Sequence, residues 1–452
     1  MLSSIPNWLS SKAVALSVIG ALCVAGCEES SSDGGGYPAD TPPGAATNVV
    51  ITEGDRRIVF TFDDPTTGDD ANRFTASCSA TDQETIEAFS AKSPLTLTGF
   101  VNDVTYTCTL IAANNAGEGP DAGPFDVTPN SGFDTTDCSL QTTIGDNMTC
   151  LSHNYLDGLT TTQRAASILG LTESNATGFW SPLPAGVSGR VGLPLSSMDD
   201  GSKEDALALI ESMLSAQGFT REEAIRVADD FLGETSTTYD SERYFISFLG
   251  VPTYDEPWIM LFTGNHYTFF ASVEGEEISL TPNFAGVEPT SFTFDETDYS
   301  PLDDRQTALA ALLASLSDAE QTTANLGETF TDILLGPGDD GDYPETQEGL
   351  AGSDLSAAQR ALLVTAIEAF AGDHAGGELA AEYTTDAALD DTYIAWSTDA
   401  ALVDEGAYVR IDGPNVWLEF VVVAGEATSD THYHSIWRDK TLDYGGNFDL
   451  TD

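Results

Sequence analysis

From residue 46 to residue 129 apolar and polar positions alternate in short runs broken by turn-forming clusters. Arg57-Ile58-Val59-Phe60-Thr61-Phe62, Phe74-Thr75-Ala76-Ser77-Cys78, Leu95-Thr96-Leu97 and Val104-Thr105-Tyr106-Thr107-Cys108-Thr109-Leu110 each place every second side chain on one face of an extended strand. About seven such runs in so short a stretch predict a small all-β sandwich. From residue 137 to 452 the rhythm changes. Ser202 precedes an apolar stripe through Ala206, Leu207, Ile210 and Leu214 that Gly218 is expected to end, and Thr220-x-x-Glu223 has the spacing of a capping box opening a second helix. Ser317 with Glu320, and Ser356 with Gln359, mark two more helix starts, the latter leading a core-facing stripe of Leu362, Leu363, Ile367 and Phe370. Strands are predicted at 244–249, 258–263, 266–273, 277–280, 291–294, 392–397, 407–411, 416–423 and 433–438. Gly264-Asn265 between the second and third suits a tight hairpin, because such turns require positive φ. Short connections between most of these strands favour a largely antiparallel sheet with helices grouped against it, an α+β domain.

The first 26 residues carry a different pattern. Lys12 precedes an apolar core from Ala13 to Gly26, too short to remain as a membrane-spanning helix, so the segment reads as a secretory signal. Its end, Val24-Ala25-Gly26-Cys27, resembles the bacterial lipobox, in which the Cys is lipidated and becomes the new N-terminus. Glu28 follows where an Asp would resemble an inner-membrane retention signal, which favours the outer membrane. The expectation is a bacterial cell-envelope protein held to the membrane by acyl chains on Cys27, since more than one chain gives stable attachment. Residues 27–45 are Ser-, Gly- and Pro-rich and read as a flexible spacer.

Charge narrows the partners. With 73 acidic and 16 basic residues the formal charge is −57. A polyanion of this kind repels phosphates and gains nothing from counterion release, which excludes nucleic acid. Acidic runs such as Gly338-Asp339-Asp340-Gly341-Asp342 lack the spacing of an EF-hand loop and read as solvated surface. With Cys23 in the signal and Cys27 in the anchor, Cys78, Cys108, Cys138 and Cys150 remain, an even number that predicts two disulfides in an exported chain. Three connectivities are open. Cys78–Cys108 with Cys138–Cys150 is the one that keeps each bridge inside one domain.

Two resemblances add to this reading. Leu97-Thr98-Gly99-Phe100, Thr105-Tyr106-Thr107-Cys108 and Ala112-Ala113-Asn114-Asn115-Ala116-Gly117-Glu118-Gly119-Pro120 resemble a bacterial fibronectin type III domain over residues 46–129. The resemblance implies a buried Tyr106 with its hydroxyl bonded to backbone, Cys78 and Cys108 on neighbouring strands, and a spacer role. Trp258–Val273 with its Gly264-Asn265-His266 turn, Thr281-Pro282-Asn283-Phe284-Ala285-Gly286-Val287-Glu288-Pro289, Leu334-Leu335-Gly336-Pro337-Gly338, Thr392-Tyr393-Ile394-Ala395-Trp396, Tyr408-Val409-Arg410-Ile411-Asp412-Gly413-Pro414 and the stretch 432–445 look like the family known as domain of unknown function 3500, over 137–452. That family usually carries a second His where this chain has Asn265. It implies no established chemistry.

The candidate chemistry lies in His432-Tyr433-His434-Ser435-Ile436-Trp437-Arg438-Asp439, where two of the chain's five histidines stand two apart and share a strand face. His266, His432 and His434 are the expected ligands of one transition metal ion, zinc, copper or iron, in a cleft with Glu419, Arg410 and Arg438 as candidate catalytic residues. An ion-activated water with Arg438 stabilising a developing anion is a hydrolase arrangement, acting on an extracellular small molecule or polymer. The alternative is a surface lipoprotein that binds a ligand or protein partner without chemistry. A structural account also competes: Arg438 in an ion pair with Asp439, Arg410 held by an acidic neighbour, and Asp443-Tyr444-Gly445 closing a turn. His153 and His374 read as surface or capping residues. Gly-x-Ser-x-Gly, His-Glu-x-x-His, the phosphate-binding loop and the dinucleotide fingerprint do not occur.

Overall fold

A computed structural model describes residues 41–132, 137–446 and 450. The expected signal segment 1–26 and Cys27 lie outside the described residues, as does the expected spacer up to residue 40. Its last residues are described and sit on the first domain: Gly44 N–H donates to the Thr67 carbonyl at 2.6 Å, and Asn114 Nδ2 donates to the Thr41 carbonyl at 2.9 Å.

Thr47–Gly54, Arg57–Asp63 and Leu95–Thr98 form one sheet of the first domain. Ile86–Ser90, Arg73–Ser79 and Tyr106–Asn114 form the other, with Gly117–Glu118 and Ala122–Val127 against its last strand. This grouping is that of a fibronectin type III-like sandwich, and its core is the alternate side chains read above, including Ile58, Phe60, Phe74, Leu97 and Leu110. Cys78 and Cys108 are cross-strand partners in register and form a disulfide. Buried Tyr106 accepts the Val101 N–H at 3.1 Å through its hydroxyl, as the resemblance implies. The domain is docked on the second module through a hairpin turn. There Arg56 Nη2 meets Asp157 Oδ2 at 2.7 Å, and Asp55 Oδ2 accepts the Tyr254 N–H at 2.9 Å. His153 lies under this contact, buried, with Nε2 at 2.9 Å from the Pro252 carbonyl. His374 is buried too, edge-on to Trp437. Both differ from the surface reading, because the elements that cover them come from elsewhere in the chain.

The second module is α+β. Its sheet runs Leu193–Pro194, Phe245–Leu249, Trp258–Thr263, Tyr267–Glu274, Asn283–Val287, His432–Asp439, Val416–Val423, Tyr408–Asp412, Tyr393–Ser397, Leu350–Ala351. All neighbours on this path pair antiparallel; Ile168–Leu169 adds a short parallel pairing to Phe245–Leu249. The two halves meet at Asn283–Val287 beside His432–Asp439, a seam between strands some 150 residues apart. Helices Ile144–Gly158, Asp200–Met213, Asp303–Ala314 and Ala357–Ala371 contribute to the large core on one face. The other face is covered by the short helix Glu173–Gly178 and by loops, which pack on Leu249, Leu261, Phe270, Phe284 and Ile436. Both faces are dry, so the central strands are apolar almost throughout.

The Ser317/Glu320 and Ser356/Gln359 capping boxes are both formed. The other two helix starts differ from expectation. Asp199, not Ser202, caps Asp200–Met213, and Ser215 caps Ala216–Gly233 by accepting the Gly218 N–H. Gly218 is therefore inside a helix rather than after one. It is small because the Asp373 backbone crosses there: a Cβ would lie 2.4 Å from the Asp373 carbonyl oxygen. Cys138–Cys150 ties the first turn of the module to its first long helix.

Candidate metal centre

The hairpin turn falls one residue later than expected: Gly264 N–H donates to the Tyr267 carbonyl at 2.9 Å, and the positive φ, +59°, is on His266 rather than on Gly264 or Asn265, held by hydrogen bonds on both sides. The His266 N–H donates to the Pro182 carbonyl at 3.0 Å, and its carbonyl accepts the Gly286 N–H at 2.6 Å. The register sets Gly286 opposite His434. The two-residue period then turns His432 to the same face as His434, beside His266. The three rings lie 4.9–5.3 Å apart by centroid. They are buried, at 8 %, 2 % and 7 % exposure in chain order. One nitrogen from each falls within 4.8 Å of the others, so this group could hold a metal ion. It borders a cavity of about 60 Å³, lined also by Pro182, Pro184, Tyr239, Glu288 and Asp332, room for an ion and a water or two.

His432 Nε2 and His434 Nε2 approach to 3.2 Å. His434 Nδ1 lies 2.8 Å from Asp332 Oδ1, which places the ring proton on Nδ1 and turns the Nε2 lone pair inward. His432 Nδ1 lies 3.9 Å from Glu288 Oε2, beyond hydrogen-bond reach. The two Nε2 atoms can share an N–H···N hydrogen bond or, with both protons on the outer nitrogens, turn two lone pairs toward one cation. A tetrahedral zinc site with Zn–N bonds of about 2.0–2.1 Å has N···N edges of about 3.3–3.4 Å. The observed pair lies close to that edge, and His266 brings a third nitrogen within 4.8 Å.

Burial, and then the neighbouring His434, lower the His432 imidazole to about 4. Burial holds His266 well below the usual range, with His434 and His432 adding to it. Burial works to raise Asp332, but the contact with His434 outweighs it and holds the carboxyl low. Neutral His266 and His432 rings and an ionised Asp332 are the states a metal requires. Glu288 is fixed by the N–H groups of Glu426, Ala427 and Thr428 and by the Thr428 hydroxyl, which pins the turn before His432.

Glu419, Arg410 and Arg438 lie on the same face of the sheet but do not line the hollow, a correction to the expected cleft. Glu419 accepts the Leu334 and Leu335 N–H groups at 2.5 and 2.9 Å, Trp417 Nε1 at 2.7 Å and the Tyr408 hydroxyl at 2.9 Å. It is a bracket for the covering loop. Arg438 bridges Asp443 and Asp340, both at 2.9 Å, and Arg410 meets Glu348 at 2.6 Å over the Trp417 ring. Ion pairing is thus the role the structure gives both arginines, with Asp443 rather than Asp439 as the Arg438 partner. Glu419→Gln is expected to cost about 1–3 kcal/mol in denaturant unfolding while leaving metal content unchanged. Lost metal in a folded Glu419→Gln protein would contradict this placement.

Behind His266, Asn265 Nδ2 donates to buried Asp229 Oδ1 at 2.6 Å. Burial pushes the Asp229 carboxyl up to about 8, against the pull of Asn265 and Tyr244. With its folded pKa above the unfolded value, this group favours folding fully below pH 4, and that contribution fades as pH rises through 8. Asp229→Asn is expected to remove the fall, a few kcal/mol at most. Thermal midpoints between pH 5 and 8 should drop for the wild type and stay flatter for Asp229→Asn; parallel profiles would exclude it.

Sequence reasoning missed Asp332, Glu288 and Gly286. Glu288 and Gly286 sit in a quoted segment without a role, and Asp332 lies in a stretch with no periodic pattern.

A family model described as protein of unknown function (DUF3500) matches residues 141–446. No curated protein matches the chain. Solved structures similar to it include the chicken CNTN1 FN1–FN3 domains (16 % identity, 20 % of this chain and 33 % of that one, TM-score 0.19). Titin domains A168–A170 (16 %, 19 % and 32 %, 0.18) and the FN5 domain of Drosophila Lar (17 %, 20 % and 99 %, 0.18) are others. The chain spans about a third of the first two. At these scores they carry no argument about the protein's activity.

Proposed function

The chain belongs to the DUF3500 family, and on that footing we propose that its second module is a metal-dependent hydrolase built on His266, His432 and His434. The observation that supports this most is the 3.2 Å approach of two buried Nε2 atoms whose other nitrogens face carboxylates. A bound zinc, copper or iron ion would supply Lewis-acid activation of water at a position the protein leaves open. The chain's own part is to hold His266 and His432 neutral, to orient His434 through Asp332, and to keep solvent out with the 181–190 segment. Among the described residues no Lys or Arg lines the hollow, whereas Glu288, Asp332 and Glu426 do. That lining disfavours anionic substrates and fits an uncharged extracellular ester, amide or glycoside, as a small molecule or in a polymer. The protein would work at the bacterial cell envelope, tethered through lipidated Cys27 to the outer membrane.

A second reading, metal or ligand binding without turnover, draws on the size of the hollow, which suits an ion better than a substrate. Metal-loaded protein assayed on uncharged ester, amide and glycoside substrates, with His434→Ala alongside, separates the two. Turnover lost in His434→Ala supports the hydrolase. Bound metal with no turnover leaves only the binding module. Membrane fractionation of wild type and Cys27→Ser tests the anchor.

A further inference from the structure

The hollow is closed on its outer side by residues 181–190, an irregular loop whose Pro182, Leu183 and Pro184 line it. The loop has firm attachments at both ends. Before it, buried Trp180 packs on Phe284 and donates from Nε1 to the Tyr444 hydroxyl at 3.3 Å. After it, Leu193–Pro194 pairs with Phe245–Leu249. Between these anchors, two hydrogen bonds tie the loop to the sheet. One is the His266 N–H to the Pro182 carbonyl, and the other runs from Arg190 Nη2 to the Gly264 carbonyl at 3.2 Å. Arg190 also gathers the loop onto itself: Nη2 donates to the Ser181 and Leu183 carbonyls at 2.6 and 2.5 Å, and Nη1 to the Ser188 and Gly189 carbonyls at 2.8 and 3.3 Å.

In a chain with 73 carboxylates, Arg190 has no carboxylate partner among the described residues. Burial pushes its guanidinium down to about 10, against the pull of Tyr244. The middle of the loop faces solvent, with Val187 standing 66 % exposed. A segment pinned beyond both ends, tied to the sheet by backbone contacts at Pro182 and Arg190, and placed over an enclosed group of imidazoles has the build of a lid.

We propose that residues 181–190 are a lid over the histidine centre and that Arg190 is its clasp, so that access to His432 and His434 is set by release of the Arg190–Gly264 and Pro182–His266 contacts. The proposal rests on the reading above insofar as a working site must be reached from solvent. Arg190 is a positioning residue; it touches none of the three rings.

The test uses metal-free, full-length protein and diethylpyrocarbonate, which acylates neutral imidazole, with each histidine followed by mass spectrometry. Arg190→Ala should be modified at His432 and His434 at least ten-fold faster than wild type. His153 and His374, buried elsewhere, should keep their slow wild-type rates. Equal rates at His432 and His434 in the two proteins overturn the lid, and so does matching acceleration at His153 and His374, which signals general loosening. Should Arg190→Ala not fold, hydrogen exchange of the wild type decides. The His266 amide should exchange at least ten-fold faster than those of Leu261 and Phe270 in the same hairpin; equal protection overturns the proposal. Cobalt(II) uptake by the wild type, measured in parallel, reports on the metal reading alone.

Discussion

Asp373→Ala is expected to destabilise the second module by about 3–5 kcal/mol, because it strands two buried guanidiniums. Asp373 receives Arg221 Nε at 2.8 Å and Arg305 Nη2 at 2.8 Å, and Arg305 and Asp373 are completely buried. Arg305 in turn donates from Nη1 to the Ser435 hydroxyl at 2.8 Å, and that hydroxyl donates to the Ala285 carbonyl at 2.7 Å. The network therefore runs from two helices to the seam that carries His434. Arg221 has a second partner in Asp304 at 2.8 Å, which softens but does not cancel the loss. In thermal unfolding the midpoint should fall on the order of 10 °C. Asp373→Asn, which keeps hydrogen-bond acceptance but not charge, should fall between wild type and alanine. A change within 1 kcal/mol for Asp373→Ala would show that the pair is not doing what its burial implies.

Gly286→Ala is expected to weaken metal binding by about 10–100-fold, the range seen when the groups that orient ligands are disturbed. An added Cβ would lie 2.9 Å from His434 Cδ2, 3.0 Å from His266 Cδ2 and 3.0 Å from the Tyr433 carbonyl oxygen. The backbone cannot give, because the Gly286 N–H is bonded to His266 and the residue sits in mid-sheet. The rings must move instead, and they move apart. Folding should suffer by only about 1–3 kcal/mol, as for other overpacked sites. Chelator competition on folded Gly286→Ala measures the effect; wild-type affinity would contradict the geometry drawn for the centre.

Much of the frame was legible. The hairpin Trp258–Thr263 with Tyr267–Glu274, the strand Val416–Val423 and two capping boxes follow from local patterns whose physics is local, and the Tyr106 hydroxyl bond from the fibronectin type III resemblance. The convergence of His266 with His432 and His434 was legible as scarce residue types on extended segments. Its cause was not, since Asn283–Val287 joins the two groups and its small, mixed residues lack strand alternation. The same scarcity argument misplaced Arg438, Arg410 and Glu419. Charges on a sheet face covered by loops must be paired; Asp340 lies in an acidic run that reads as solvated surface, Asp443 in an element that reads only as a turn, and Glu348 in a stretch with no pattern to announce it. Asp332 was hidden for the same reason. Caps in the chain interior, such as Ser215, were lost because Gly218 reads as a stop when the crossing Asp373 backbone is out of view.

The central claim is that three imidazoles from two distant segments share one ion. Elemental analysis of the full-length protein, purified without a histidine tag and dialysed against metal-free buffer, tests it most directly. The account predicts about one zinc, copper or iron ion per chain, lost in His432→Ala and in His434→Ala while both variants stay folded. Metal-free wild-type protein that takes up none of these ions, or metal retained in both variants, would contradict it.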